Sequence, residues 1–309
     1  MSFLSLASNY FDRSEPLGDH WEDLKSIFPS PSLASSLISF LTWGKAFHYY
    51  WSYSQSSQTH WIFAQYGNYV YCPILPTPLT FDALQLAFQF MEKMNGPGPG
   101  ISRIEGLTEN QKPQVMAWGY NIRPVFFEYL YPTTQLAALK GNHYRSRRAE
   151  KNHLEKNHNL LFRPFLKSDL NACKTLWSNW YQQKIQRQSH PQAVQMMQSS
   201  QWAHELALDH IEDWGLHAWV VWVNQHLSAY LIGSPLSSNT FGIYFEITDL
   251  TLKGLSTYIF VNVCNRILDF PFVNTGDAEF LETLAYAKQT WHPCQKLFVY
   301  AIDPSIVRP

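Results

Sequence analysis

Charged side chains are scarce in this chain: Asp, Glu, Lys and Arg make up 15% of it, against roughly 25% in an average soluble protein. They nearly cancel, to a formal net charge of -1, so no overall field draws the molecule to nucleic acid, and any such site has to be local. Long apolar runs are missing too. The longest, Ala218 to Val223, falls far short of the roughly 20 residues a spanning helix needs. The opening MSFLSLASNYFDRSEP sets no basic residues ahead of its apolar stretch, so no secretory leader is expected. Only four cysteines occur, Cys72, Cys173, Cys264 and Cys294, with no CxxC pair among them. That excludes a zinc ribbon and a disulfide scaffold, and points to a reduced, cytoplasmic protein without a metal centre.

Aromatic residues fill the space that charge leaves. There are 12 Trp, 17 Tyr and 20 Phe, within a hydrophobic fraction of 46%. Such a composition excludes a disordered chain, a coiled coil and a collagen-like repeat. At 309 residues, two domains of about 150 each are expected.

Charge is unevenly spread. Seven basic residues and only two acidic ones, Glu150 and Glu155, lie between Lys140 and Arg163. From Gln188 to Leu252 there is no Lys or Arg, while Glu205, Asp209, Glu212, Asp213, Glu246 and Asp249 fall in that stretch. The segment from Tyr144 to Asn152 has almost no apolar face. If helical, it carries Arg145, Arg148 and Asn152 on one stripe, with Arg147 and Lys151 on the next. Converging cations of this kind suit a phosphate or an RNA backbone. A solvated connecting helix is the plainer alternative.

Periodicity in the second half predicts an edge strand at 161–166 and helices from about 170 to 181 and 193 to 213. Strands follow at 216–223, 226–233 and 241–248, the first two joined by the tight Asn224-Gln225 turn. A helix at 254–268, a strand at 270–274, a helix at 278–291 and a strand at 296–302 complete it. The first half gives a helix at 33–43, strands at 47–53, 60–66 and 69–75, a helix at 81–94, a strand at 102–105, a helix at 108–118 and a strand at 122–130. Three strands precede helix, strand, helix, strand in both halves. The expectation is therefore an α/β protein with mixed sheets, built as a tandem repeat, the alternative being a chance match of two generic α/β patterns. Its domains would be 1–140 and 161–309, joined by a basic linker helix at 141–160.

Several motifs have plainer readings. Gly96 to Gly100 reads GPGPG, but its prolines remove the N–H donors a phosphate loop needs, so it is taken as a helix stop. His204-Glu205 with His210 does not match HExxH, because six residues turn the imidazoles to different helix faces, and these are taken as solvated side chains. Glu246, mid-strand among apolar neighbours, admits two readings. It is either a desolvated carboxylate fit to act as a general base or an edge residue facing water.

The β-β-β-α-β-α-β order resembles the GNAT acyltransferase fold. In that fold the turn after the fourth strand presents N–H groups to donor phosphates. Here that turn spans Thr251, Leu252, Lys253, Gly254, Leu255 and Ser256, with Lys253 able to contact an anion. A closer resemblance rests on Glu128-Tyr129-Leu130-Tyr131, the run from Leu136 to Arg148, and Asn152. Glu246, Lys253-Gly254, Asn274, Asp277, Leu284, Lys288 and His292-Pro293 then follow in order. Together they are similar to the family that shares the catalytic C-terminal domain of phosphatidylglycerol lysyltransferases, here in a soluble form. The resemblance implies two GNAT-like domains and transfer of an aminoacyl group from tRNA to an acceptor amine or hydroxyl. It gives Arg147, Arg148 and Asn152 to the tRNA end and places Asp277 and Lys288 in the site. Phe280, Thr283 and Ala285 stand where the family usually has two glycines and an arginine.

The sequence thus reads as a transferase with Glu246, Asp277 and Lys288 as candidate catalytic residues. Arg145, Arg147, Arg148, Lys151, Asn152, Lys253, Gly254 and Asn274 are the candidate substrate or polyanion contacts. Aminoacyl-tRNA is the expected donor, no cofactor is covalently bound, and the acceptor is a small molecule or peptide. A catalytically silent ligand-binding protein and an acyl-CoA-dependent N-acyltransferase are the alternatives.

Overall fold

Residues 2–19, 21–28, 32–96, 101–186, 191–278 and 281–304 are described by the structure, a computed structural model. The chain divides into two units, residues 1–127 with 297–309, and residues 128–296.

The first unit opens with α1 (Phe3–Ala7), β1 (Arg13–Pro16), α2 (Trp21–Leu24) and α3 (Leu37–Thr42). It continues through β2 (His48–Ser54), β3 (Thr59–Tyr66), β4 (Tyr69–Tyr71), α4 (Phe81–Asn95), β5 (Ile104–Leu107) and α5 (Lys112–Ala117) into β6 (Asn121–Pro132). Strands β1 to β4 form an antiparallel sheet in chain order, and Cys72 makes a parallel bridge to Ile104 of β5. Alternation along β2 sends Trp51 to a layer with Leu17, Leu24, Phe28 and Phe40. Tyr50 points to the opposite layer, with Phe3, Phe63 and Phe90. There the Phe3 and Tyr50 rings stack at 4.0 Å, one of many ring pairs, each worth about 0.5–1.5 kcal/mol beyond its buried area. The abundance of aromatics is thus used on both faces of one sheet. Helix α4 starts where the Thr80 side chain caps the Ala83 N–H at 3.1 Å and stops at Gly96. The remainder of GPGPG lies outside the described residues.

The second unit runs through α6 (Thr133–Ala138), α7 (Arg145–Asn157), β7 (Leu160–Pro164), α8 (Leu170–Ile185), α9 (Pro191–Asp209), β8 (His217–Val223), β9 (His226–Pro235) and β10 (Thr240–Thr248). It ends with α10 (Leu255–Cys264), β11 (Phe272–Asn274) and α11 (Glu282–Gln289), leading into β12 (Gln295–Asp303). Its sheet order is β6-β11-β10-β9-β8-β7. Asn224 and Gln225 both adopt left-handed φ, 49° and 68°, the twist that a two-residue hairpin between β8 and β9 requires. Helix α10 buries eight of its ten residues, as a helix apolar on all sides must.

The order β2-β3-β4-α4-β5-α5-β6 recurs as β8-β9-β10-α10-β11-α11-β12, so the chain is an α/β protein of two tandem GNAT-like series. The last strand of each series pairs in the other unit. β12 lies antiparallel on β5 in the first, and β6 lies antiparallel on β11 in the second, with Tyr131 opposite Val273. For that reason the units divide inside β6 and β12, not at 140 and 161 as expected from the linker. The basic segment 141–160 belongs wholly to the second unit. Elements before residue 33 and helix α6 have no counterpart among the expected ones.

Candidate active site

Strand β10 pairs with β11 only through Thr240, Gly242 and the residue between them. Beyond Gly242 and Asn274 the two strands part, and a register shift against β9 falls between Ile243 and Phe245. A bulge of this kind re-aims side chains beside a site. Glu246 follows it, at the opened edge. Phe245 and Ile247 are buried on the other face, which leaves the carboxylate half-buried. Desolvation pushes its pKa up to about 7. Three groups act against that rise: the Ser256 hydroxyl, which donates to Oε1 at 2.5 Å, and the charges of Arg147 and Lys288. The site thus holds a carboxyl that changes charge near neutrality, bonded by a hydroxyl donor and within the field of two cations.

Lys288, on α11, donates its ammonium to the main-chain carbonyls of Thr275, at 2.6 Å, and Asp277. It also lies 5.8 Å from the Tyr129 ring centroid. The hydroxyl of Tyr131 donates to the Lys288 carbonyl at 2.8 Å. Lys288 therefore fixes the 275–277 segment that follows β11. Lys288 meets the Asp277 main chain and its charge bears on Glu246; the Asp277 residue itself is half-buried.

Segment 145–157 is helical, and it distributes the expected polyanion contacts among different tasks. Arg145 and Asn152 are exposed. Lys151 pairs with Glu155 at 2.6 Å and lies over the Tyr258 ring. Arg148 turns back to donate to the carbonyls of Leu139 and Gly141, closing the turn after α6. Arg147 donates to the hydroxyls of Thr257, at 3.4 Å, and Thr290, at 2.6 Å. Lys253 is exposed. Gly254 caps α10 with φ 89°, and a Cβ there would lie 2.4 Å from the Glu150 carbonyl oxygen. It is thus the point of closest approach of α10 to α7.

Some expectations need correction. Asn274 is fully buried; it donates to Glu128 at 2.7 Å and accepts from the Gly276 N–H, so it faces no ligand. His204 is not solvated. It is buried, bonded at Nδ1 to the Tyr230 hydroxyl at 2.7 Å, and desolvation lowers its pKa to about 3. His210 does lie at the surface, beside Asp213. Thr283 and Ala285 fall on α11, and Phe280 lies outside the described residues. Thr257, Thr290 and Trp291, which gather around Arg147 from 110 or more positions away, carry no motif or spacing that marks them in the sequence. Among the described residues, no group of three or more His, Cys, Asp or Glu could hold a metal ion, and no helix is long and apolar enough to cross a membrane.

Residues 35–301 match the family model described as phosphatidylglycerol lysyltransferase, C-terminal. A conserved protein of unknown function from Bacteroides thetaiotaomicron VPI-5482 aligns with a TM-score of 0.79 at 18% identity, over 92% of this chain and 96% of that one. The L-PGS structure from Bacillus licheniformis aligns at 0.64 and 12%, over 95% and 94%. The C-terminal domain of a putative lysylphosphatidylglycerol synthetase from Agrobacterium fabrum gives 0.62 and 12%, over 97% and 92%. At these identities the likeness is one of fold. No curated protein matches the chain.

Proposed function

Because the chain belongs to the family of the phosphatidylglycerol lysyltransferase C-terminal domain, we propose that it transfers an aminoacyl group from the 3′ end of an aminoacyl-tRNA to an amine or hydroxyl acceptor. The observation that carries this reading is the Glu246 carboxyl, held near neutrality at the edge where β10 and β11 part. An aminoacyl ester is already activated, so the protein has to hold the acceptor against the carbonyl, take a proton and stabilise the oxyanion. The acceptor N–H or O–H adds to the ester carbonyl while the ionised Glu246 takes its proton. The bond from the carbonyl carbon to the ribose oxygen then breaks, and that oxygen leaves with the proton. A base titrating near the working pH suits this task. The positive field of Arg147 and Lys288, which favours ionised Glu246, also favours the negative charge of the intermediate.

Two further observations support the donor. Arg145, Asn152 and Lys156 line exposed positions of α7, where they suit phosphate contacts. The first turn of α10 meets the α7 main chain at Glu150, which speaks for a donor without a pyrophosphate arm and against acyl-CoA. Glu246→Gln is expected to lower single-turnover transfer about 10²–10⁴-fold with an unchanged circular dichroism spectrum. The wild-type rate should rise with pH through about 7. Transfer by the Gln variant at the wild-type rate overturns the reading and leaves a binding protein of the same fold.

A further inference from the structure

Arg147 has the sequence character of an RNA contact, yet its side chain is only 22% exposed and both ends of its guanidinium are engaged by the protein. One end donates to Thr257 Oγ1 of α10 at 3.4 Å, the other to Thr290 Oγ1, just past α11, at 2.6 Å. Its face lies 4.5 Å from the Trp291 ring centroid, and Glu150 of its own helix is 3.8 Å away. Thr257 is the neighbour of Ser256, which donates to Glu246. Thr290 stands two residues beyond Lys288, which holds the carbonyls of Thr275 and Asp277. We propose that Arg147 is a positioning residue, a clasp between the start of α10 and the end of α11 that keeps Ser256 on the Glu246 carboxylate.

A planar fork can reach two hydroxyls on two elements at once, and a lysine ammonium cannot do so in the same geometry. Gly254 serves the same clasp, since its missing side chain lets α10 meet the main chain of α7 one turn from Arg147. The charged and titratable groups that bear on Glu246 are Arg147 from α7, Lys288 from α11 and, on α10, the Cys264 thiol. Of these, Arg147 and Lys288 lower the Glu246 pKa, so removing Arg147 has a signature that a loss of packing would not give.

The inference rests on Glu246 acting as the base, and the test separates the two. In steady-state transfer from aminoacyl-tRNA, Arg147→Gln is expected to lower kcat about 10²-fold, the cost of a small misplacement, with KM for tRNA nearly unchanged. The acid limb of its pH profile should move to higher pH. Arg147→Lys should lose kcat and move the acid limb to higher pH by less than Arg147→Gln, since it keeps the charge but frees Ser256 from the carboxylate, and it carries the test if Arg147→Gln fails to fold. A ¹³C NMR titration of the Glu246 carboxyl reads the same shift without turnover. An unmoved midpoint in Arg147→Gln overturns the clasp whatever the activity, and so does a raised KM with a weaker salt dependence, which would make Arg147 a phosphate contact. A moved midpoint in a protein whose Glu246→Gln variant stays fully active would instead uphold the clasp and reject the base.

Discussion

At the scale of single residues, the carboxyl suited to chemistry works against the fold. Glu246 titrates near 7 in the folded chain against an ordinary 4.5, so between those values the folded state binds the extra proton. Stability therefore falls as pH rises from about 4.5 and is lowest above 7. Glu246→Gln removes that penalty. Chemical denaturation at pH 8 should show the variant more stable by about 1–3 kcal/mol, and the difference should vanish near pH 4. The sequence made Glu246 legible because a carboxylate among alternating apolar residues is conspicuous. It misjudged His204, because helix periodicity alone does not reveal that Tyr230, on a distant strand, offers the imidazole a buried partner.

At the scale of elements, most helices and strands follow from periodicity, while their docking does not. The polar helix α7, with Leu154 alone buried, reads correctly as a helix. Its function as a support for α10 is invisible in its sequence, since the contacts come from Thr257, Thr290 and Gly254, each far away along the chain. Gly254 shows the consequence most directly. Its left-handed φ of 89° strains any residue that carries a Cβ, and the main-chain carbonyl where that Cβ would stand leaves it no space. Gly254→Ala should therefore destabilise the protein by about 2–4 kcal/mol in a denaturant melt, combining backbone strain with overpacking. An exposed turn glycine would cost far less.

At the scale of the whole molecule, the doubled strand and helix order was legible, but the pairing of the last strands was not. Hydrophobic periodicity marks β6 and β12 as strands without saying which neighbour each one takes, and the basic segment suggested a linker helix between domains where the chain divides inside β6 and β12. Because β12 completes a sheet begun by β5 and β6 one begun by β11, each half of the gene product lacks a piece encoded in the other. Fragments 1–140 and 141–309, produced separately, should stay unfolded or aggregate through bare strand edges. Mixed together they should complement each other and recover native circular dichroism, and two fragments that fold alone would contradict the pairing. The first half therefore cannot finish folding when it leaves the ribosome. It has to wait for β12, so maturation of the first unit is tied to synthesis of a strand encoded about 190 residues after β5.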